Sequence, residues 1–202
     1  CPQITHPFAE HGLNMTFATN VGWVHDMLVY FSHPVAKRPY HHGIMTFSLV
    51  YAFNEQFILP LSHEAVTPLQ QSLLQRMPGP AWEQFANLRL LIGFMYAHPG
   101  KKLLFMGGEF AQISPWQPQS SLDWHLLERP EHAAFQYYVR DLNRIYREQP
   151  ALYEVDADWR GFSWIDFQDS EHSIIAFMRL PKAQLEPSDE ADRPTGPSVQ
   201  AA

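Results

Sequence analysis

The sequence predicts an α/β fold, a parallel sheet flanked by helices, followed by the start of an all-β unit. Three observations carry this. Short apolar runs alternate with helix-period stretches from residue 15 to residue 147, the pattern of right-handed βα units laid on a parallel sheet. Two of the runs, FILPL at 57–61 and KLLFM at 102–106, end in polar or glycine-rich residues: Ser62–His63–Glu64 and Gly107–Gly108–Glu109. From Gly161 onward the apolar period shortens to two, which is a strand period and not a helix period.

Along the chain, residues 1–14 are polar and irregular. Residues 15–20 predict a short strand leading into a helix over 22–31, where Trp23, Met27, Tyr30 and Phe31 recur at helical spacing. Pro34 ends that helix, since proline lacks the N–H that a further turn needs. A second helix is predicted over 40–52, with Met45, Leu49 and Ala52 in phase, and a strand over 56–61. A short helix over 72–77 stops at Pro78–Gly79. The clearest helix is predicted over 80–96: Pro80 suits a first turn, and Phe85, Leu88, Ile92, Met95 and Tyr96 share one face. His98–Pro99–Gly100 marks its end, and the strand over 102–106 follows. A polar loop, 114–121, leads through 122–127 to a helix over 132–147 whose inner side carries Phe135, Tyr138, Val139, Leu142 and Ile145. Residues 161–167 and 173–179 predict a β-hairpin. Past Lys182 the chain is rich in Pro and acidic residues and almost without large apolar ones, so a disordered tail is predicted over 183–202. The expected units are therefore 1–149, 150–182 and that tail. Three strands cannot close a barrel, and a parallel sheet needs cover on both faces.

Composition excludes several classes. The chain has 202 residues, is 46% hydrophobic and carries a formal net charge of -7. Without clustered Lys and Arg there is no footprint for phosphate backbones, so no nucleic-acid partner is expected. No apolar run reaches transmembrane length, so no membrane partner is expected. Cys1 is the only cysteine, which leaves no internal disulfide or cysteine metal cluster and fits a cytoplasmic protein. The eleven histidines are scattered, with no i, i+4 pair of the kind a helical zinc site uses. No metal and no cofactor are implied.

Polar residues just past a buried parallel strand are where α/β barrels keep their chemistry. His63 and Glu64 hold that position after 56–61. Taken alone, the pair reads as solvated loop residues rather than as a site, and the rest of the chain has to decide.

Six stretches decide together: NVGWVHDML (20–28), FILPLSHEAV (57–66), RMPGPAWEQFANLR (76–89), PGKKLLFMGGEFAQ (99–112), SLDWHLL (121–127) and GFSWIDF (161–167). Long runs in fixed order are more specific than any short motif, and these resemble the bacterial 1,4-α-glucan (glycogen) branching enzymes, α-amylase-type glycoside hydrolases of family 13. The resemblance implies a (β/α)8 barrel with an all-β C-terminal domain. It implies cleavage of an α-1,4 bond and transfer of the released glucan segment to a 6-hydroxyl. In that frame the chain supplies barrel strands six to eight, a partial TIM barrel, and the first hairpin of the C-terminal domain. The family's aspartate nucleophile and glutamate acid/base belong after strands four and five, before the stretch that Cys1 begins. A retaining glycosidase needs both, so the chain by itself is expected to be inactive.

The family reads His-Asp-Glu after strand seven. His63 matches the histidine and is implied to bind the sugar hydroxyls. Glu64 stands at the aspartate, a degenerate transition-state-stabiliser position, and Ala65 stands at the glutamate. A slipped alignment that keeps Glu64 as the glutamate is the alternative. Residues 67–71, Gly108 and Ser114–Pro115 also depart from the family. Trp23, Trp82, Trp116 and Trp124 are expected to pack rather than stack on sugar, and Trp116 is the one placed for substrate, on the loop after strand eight. Asp26 and Asp123 are expected to make helix or turn hydrogen bonds, and Glu109 a structural one. The implied partner is α-1,4-glucan or glycogen. Self-association through an open strand edge, at 56–61 or 15–20, is expected as well. A non-catalytic glucan- or partner-binding module and a gene remnant are the competing functional readings.

Overall fold

The computed structural model describes residues 16–63 and 71–185. Three parallel strands form the sheet: β1 (Ala18–Thr19), β2 (Phe57–Leu61) and β3 (Lys101–Leu104), in that order. The register sets Ala18 beside Phe57 and Ile58 beside Lys101. Asn20 closes β1 and starts α1 (Val21–Ser32), its Oδ1 accepting from the Trp23 N–H at 2.9 Å. A side-chain acceptor there satisfies one of the four N–H groups that a helix start leaves bare.

Between α1 and β2 the single helix expected over 40–52 is broken into a 3-10 turn at Val35–His41, the six-residue α2 (His42–Phe47) and a second 3-10 turn at Ser48–Val50. Pro39 sits inside the first turn. Thr46 bonds back to the Gly43 carbonyl at 3.1 Å, a competing local bond that disfavours a longer helix. After β2, α3 (Leu73–Arg76) begins with a capping box between Ser72 and Gln75. The long α4 (Ala81–Ala97) then returns the chain to β3, and α5 (Pro130–Glu148) follows it. One core joins these layers: Trp23, Met27 and Phe31 of α1, Leu59 and Leu61 of β2, Leu88, Leu91, Ile92 and Met95 of α4, and Phe135 and Val139 of α5. Each fully buried leucine-sized side chain contributes roughly 1.5–3 kcal/mol.

Two expectations are corrected. The strand at 56–61 is the middle of the sheet and not an edge, because β1 and β3 both pair with it. Among the described residues the open edges are β1 and β3, and β3 is half-exposed along its whole length. Trp82 and Trp124 do not pack in the core: they are 70% and 51% exposed, whereas Trp23 is fully buried.

The expected hairpin forms from β4 (Phe162–Asp166) and β5 (Ala176–Arg179), antiparallel, with a register shift between Trp164 and Asp166. It is tied to the helices by polar contacts as well as rings. Arg179 on β5 bonds the Ala97 carbonyl at 2.9 Å and Asp156 at 2.8 Å. His42 donates through Nε2 to the Phe167 carbonyl at 2.9 Å. A 3-10 turn at Lys182–Gln184 follows, and the remainder of the tail expectation lies outside the described residues.

Candidate functional site

The C-terminal ends of β2 and β3 lie side by side, because Pro60 and Leu61 of β2 are in register with Leu103 and Leu104 of β3. Just beyond these ends stand His63, two residues past β2, and Phe105, one residue past β3. Their rings are 5.8 Å apart and tilted by 54°. Trp116, on the loop after β3, meets Phe105 edge-on, with ring centroids 5.1 Å apart. An imidazole and an indole thus both neighbour one phenyl ring, forming a short aromatic row. His63 is exposed and Trp116 half-buried.

The loop that carries Trp116 is fixed by a polar clamp. Gln112 donates through Nε2 to the Ser114 carbonyl at 3.0 Å and accepts through Oε1 from the Asp123 N–H at 3.2 Å. Asp123 in turn accepts from the Ser114 N–H at 3.2 Å. Gly107 makes room for the clamp. Its φ is 88°, in the left-handed region, and a Cβ there would lie 2.9 Å from the Gln112 Oε1. Glycine is the residue that meets both demands without strain. The turn Gly108–Phe110 is anchored from behind, where His132 of α5 donates to the Phe110 carbonyl at 2.9 Å and meets Phe85 edge-on. Under this loop lies a cavity of about 20 Å³ lined in part by Ser72, Met106, Gln112 and Trp116. That is room for about one water molecule.

The structure therefore brings together two of the three expected site residues, His63 and Trp116. Glu64 lies outside the described residues, as do Ala65 and the departures at 67–70. Glu109 is half-buried beside the β3 edge. Asp123 makes the turn hydrogen bonds expected of it. Among the described residues no group of three or more His, Cys, Asp or Glu side chains is placed to hold a metal ion. No helix among them is long and apolar enough to cross a membrane.

No protein-family model matches the chain. Curated relatives do. Over 178 residues, 88% of this chain, it is 52% identical to the 1,4-alpha-glucan branching enzyme GlgB of Aromatoleum aromaticum, of which it covers 28%. It is 51% identical over 185 residues to the same-named enzyme of Aquifex aeolicus, covering 29% of that protein. To that of Frankia casuarinae it is 53% identical over 178 residues, covering 22%. The chain is homologous to one segment of the 1,4-alpha-glucan branching enzymes. It spans less than a third of the length of the curated relatives it matches.

Two parts of this segment are not legible in the sequence. Phe105 reads as a buried strand residue, yet β3 ends at Leu104 and Phe105 becomes the hinge of the aromatic row. The Gln112–Asp123 clamp joins side chains eleven positions apart across an irregular loop, and no periodicity marks such a pair. The one sequence signal is Gly107–Gly108, a pair that allows a tight turn.

Proposed function

We propose that this chain supplies strands six to eight of a (β/α)8 barrel and the first hairpin of an all-β C-terminal domain in a 1,4-α-glucan branching enzyme, with units at 1–149 and 150–182. The observation that supports it best is the row of His63, Phe105 and Trp116 at the C-terminal ends of parallel strands, the face on which barrels place their chemistry. On this reading the imidazole of His63 hydrogen-bonds a sugar hydroxyl, and Trp116 offers the apolar face of an indole to a glucose ring. Glu64 holds the transition-state-stabiliser position with one methylene more than the family's aspartate.

The division of labour follows from the chemistry. Breaking an α-1,4 bond with retention takes a nucleophile and an acid/base about 5 Å apart, and the resemblance puts both outside these residues. What this segment contributes is orientation of the glucan and hydrogen bonds that tighten as charge develops on the sugar ring. The 202 residues alone should leave amylose unchanged.

The test is a hybrid in which the 185 matched residues of the Aquifex aeolicus enzyme are replaced by this chain. It should bind maltoheptaose with an affinity that falls on His63→Ala and Trp116→Ala, and turn over slowly. Glu64→Asp should raise kcat by roughly tenfold or more with little change in KM, since a carboxylate misplaced by about 1 Å costs about a hundredfold. A hybrid whose maltoheptaose binding ignores both substitutions would sink the proposal.

A further inference from the structure

Of the three rings in the row, the middle one is held through its backbone. The parallel ladder runs one residue past β3: the Phe105 N–H donates to the Leu61 carbonyl at 3.0 Å, and the Phe105 carbonyl accepts from the Gly108 N–H at 2.9 Å. One bond ties Phe105 to β2 and the other to the turn that follows. Phe105 is also half-buried. The rings on either hand stand on less regular backbone. His63 is exposed past the end of β2, and Trp116 lies outside any helix or strand, on a loop tied at Gln112, Ser114 and Asp123.

The aim of these two side chains therefore depends on the ring they share. Phe105 meets Trp116 at 83°, the edge-on arrangement that ring quadrupoles favour, and meets His63 at 54°. Each such contact is worth roughly two- to tenfold in an equilibrium constant. A side chain that has to be ordered on binding loses affinity to the entropy of its rotamers, and a contact made beforehand removes that loss. Because both contacts fall on one ring, removing either partner frees the Phe105 ring to turn into the space left, which withdraws support from the other.

We propose that Phe105 is a positioning residue, the common support through which His63 and Trp116 recognise α-1,4-glucan as one unit. It acts through its two neighbours rather than on the sugar. The inference rests on the glucan reading of the row and adds a property to it: the two substrate contacts are energetically coupled. Side chains that share a partner depart from additivity, and a double-mutant cycle measures by how much.

The experiment is that cycle, with maltoheptaose binding measured by calorimetry on the hybrid in which this chain replaces the 185 matched residues of the Aquifex aeolicus enzyme. His63→Ala and Trp116→Ala should each weaken binding, and the double variant should bind about threefold or more tighter than the product of the two single losses predicts. In a Phe105→Leu background, which keeps an apolar side chain and removes the ring, the losses should simply multiply. Phe105→Tyr should retain the coupling. Single losses that multiply with Phe105 in place overturn the inference and leave the glucan reading standing, as does coupling that persists in Phe105→Leu. Binding that ignores both single substitutions overturns the reading and the inference together. Since Phe105→Leu could disturb the fold, a second measurement needs neither that variant nor glucan. In the NMR spectrum of the 202-residue chain, the His63 ring protons, assigned by their loss in His63→Ala, should move on Trp116→Ala. A His63 spectrum indifferent to Trp116→Ala overturns the inference.

Discussion

Acid should unfold this protein through one buried histidine. His98 is 1% exposed, wedged between Trp23 and Phe94, with ring centroids 5.7 and 5.5 Å away. Its Nδ1–H donates to the Pro99 carbonyl at 2.8 Å, which fixes the tautomer, so Nε2 accepts from the Ser48 hydroxyl at 2.8 Å. Acceptance at Nε2 requires the neutral ring, whereas the Nδ1–H bond to Pro99 is compatible with either charge state. Burial first, and then the charges of Lys102 and Arg179, lower its pKa from 6.5 to about 3, against the raising effect of the Pro99 carbonyl and Asp156. The unfolded chain takes up a proton near 6.5 that the folded chain refuses until about 3, so stability is full above 6.5 and falls as the pH drops through that window. Each unit costs about 1.4 kcal/mol, so acidifying from 6.5 to 4.5 should remove roughly 2–3 kcal/mol. For a chain of this length that is roughly 5–10 °C in Tm. The carboxylates held low, Asp156 and Asp158 among them, add their loss only below the ordinary value of 3.8. Half-buried His33 is shifted in the same direction, by desolvation and by His41, so the wild type must be compared with a His98→Gln variant. That variant should be less stable at pH 7 and should show a flatter slope from 6.5 to 4.5. Equal slopes, or a His98 ring resonance that titrates near 6.5 in the folded protein, would refute the assignment.

Two further outcomes test the frame around the site. Arg179→Met removes one partner of a pair whose side chains are 4% and 10% exposed. It should cost about 3–5 kcal/mol by denaturant midpoint, because a buried carboxylate left under-compensated costs more than the pair contributes. A loss under about 1 kcal/mol would mean that the hairpin is held by its rings alone. Gly107→Ala forces a Cβ onto φ 88° and into the Gln112 side chain. A loss of more than about 1 kcal/mol, with a shift in Trp116 fluorescence from release of the clamp, is expected. A variant with wild-type melting and emission would show that Gln112 does not hold the loop.

The parts of the fold that could be read from the sequence are those governed by one local rule. Helices α4 and α5 announce themselves because their buried residues recur at 3.6 and their starts carry Pro80 and Pro130. Strand β2 shows as a continuous apolar run because both its edges are paired and Leu59, Pro60 and Leu61 are buried. Strand β3 reads as an apolar run over 102–106 and forms over Lys101–Leu104, yet its half-exposure is not legible, since exposure depends on what stands beside a strand and composition does not record that. The break of 40–52 into three short pieces was hidden for a related reason: Met45, Leu49 and Ala52 keep helical phase, and the bonds that interrupt the helix come from Thr46 and its own backbone.

The site divides along the same line. His63 was legible because the chain puts an imidazole directly after a buried strand, and Trp116 because the family resemblance marks its loop. Their relation was not legible, since it runs through Phe105 and depends on β2 and β3 ending level with each other. The Lys102 corner is the more telling case. A Lys-Lys pair opening a strand looks like a solvated start, and only the placement of Asp156, 55 positions beyond Lys101, turns that lysine into a paired cation, while Lys102 is buried and bonds the carbonyl oxygens of His98 and Gly100.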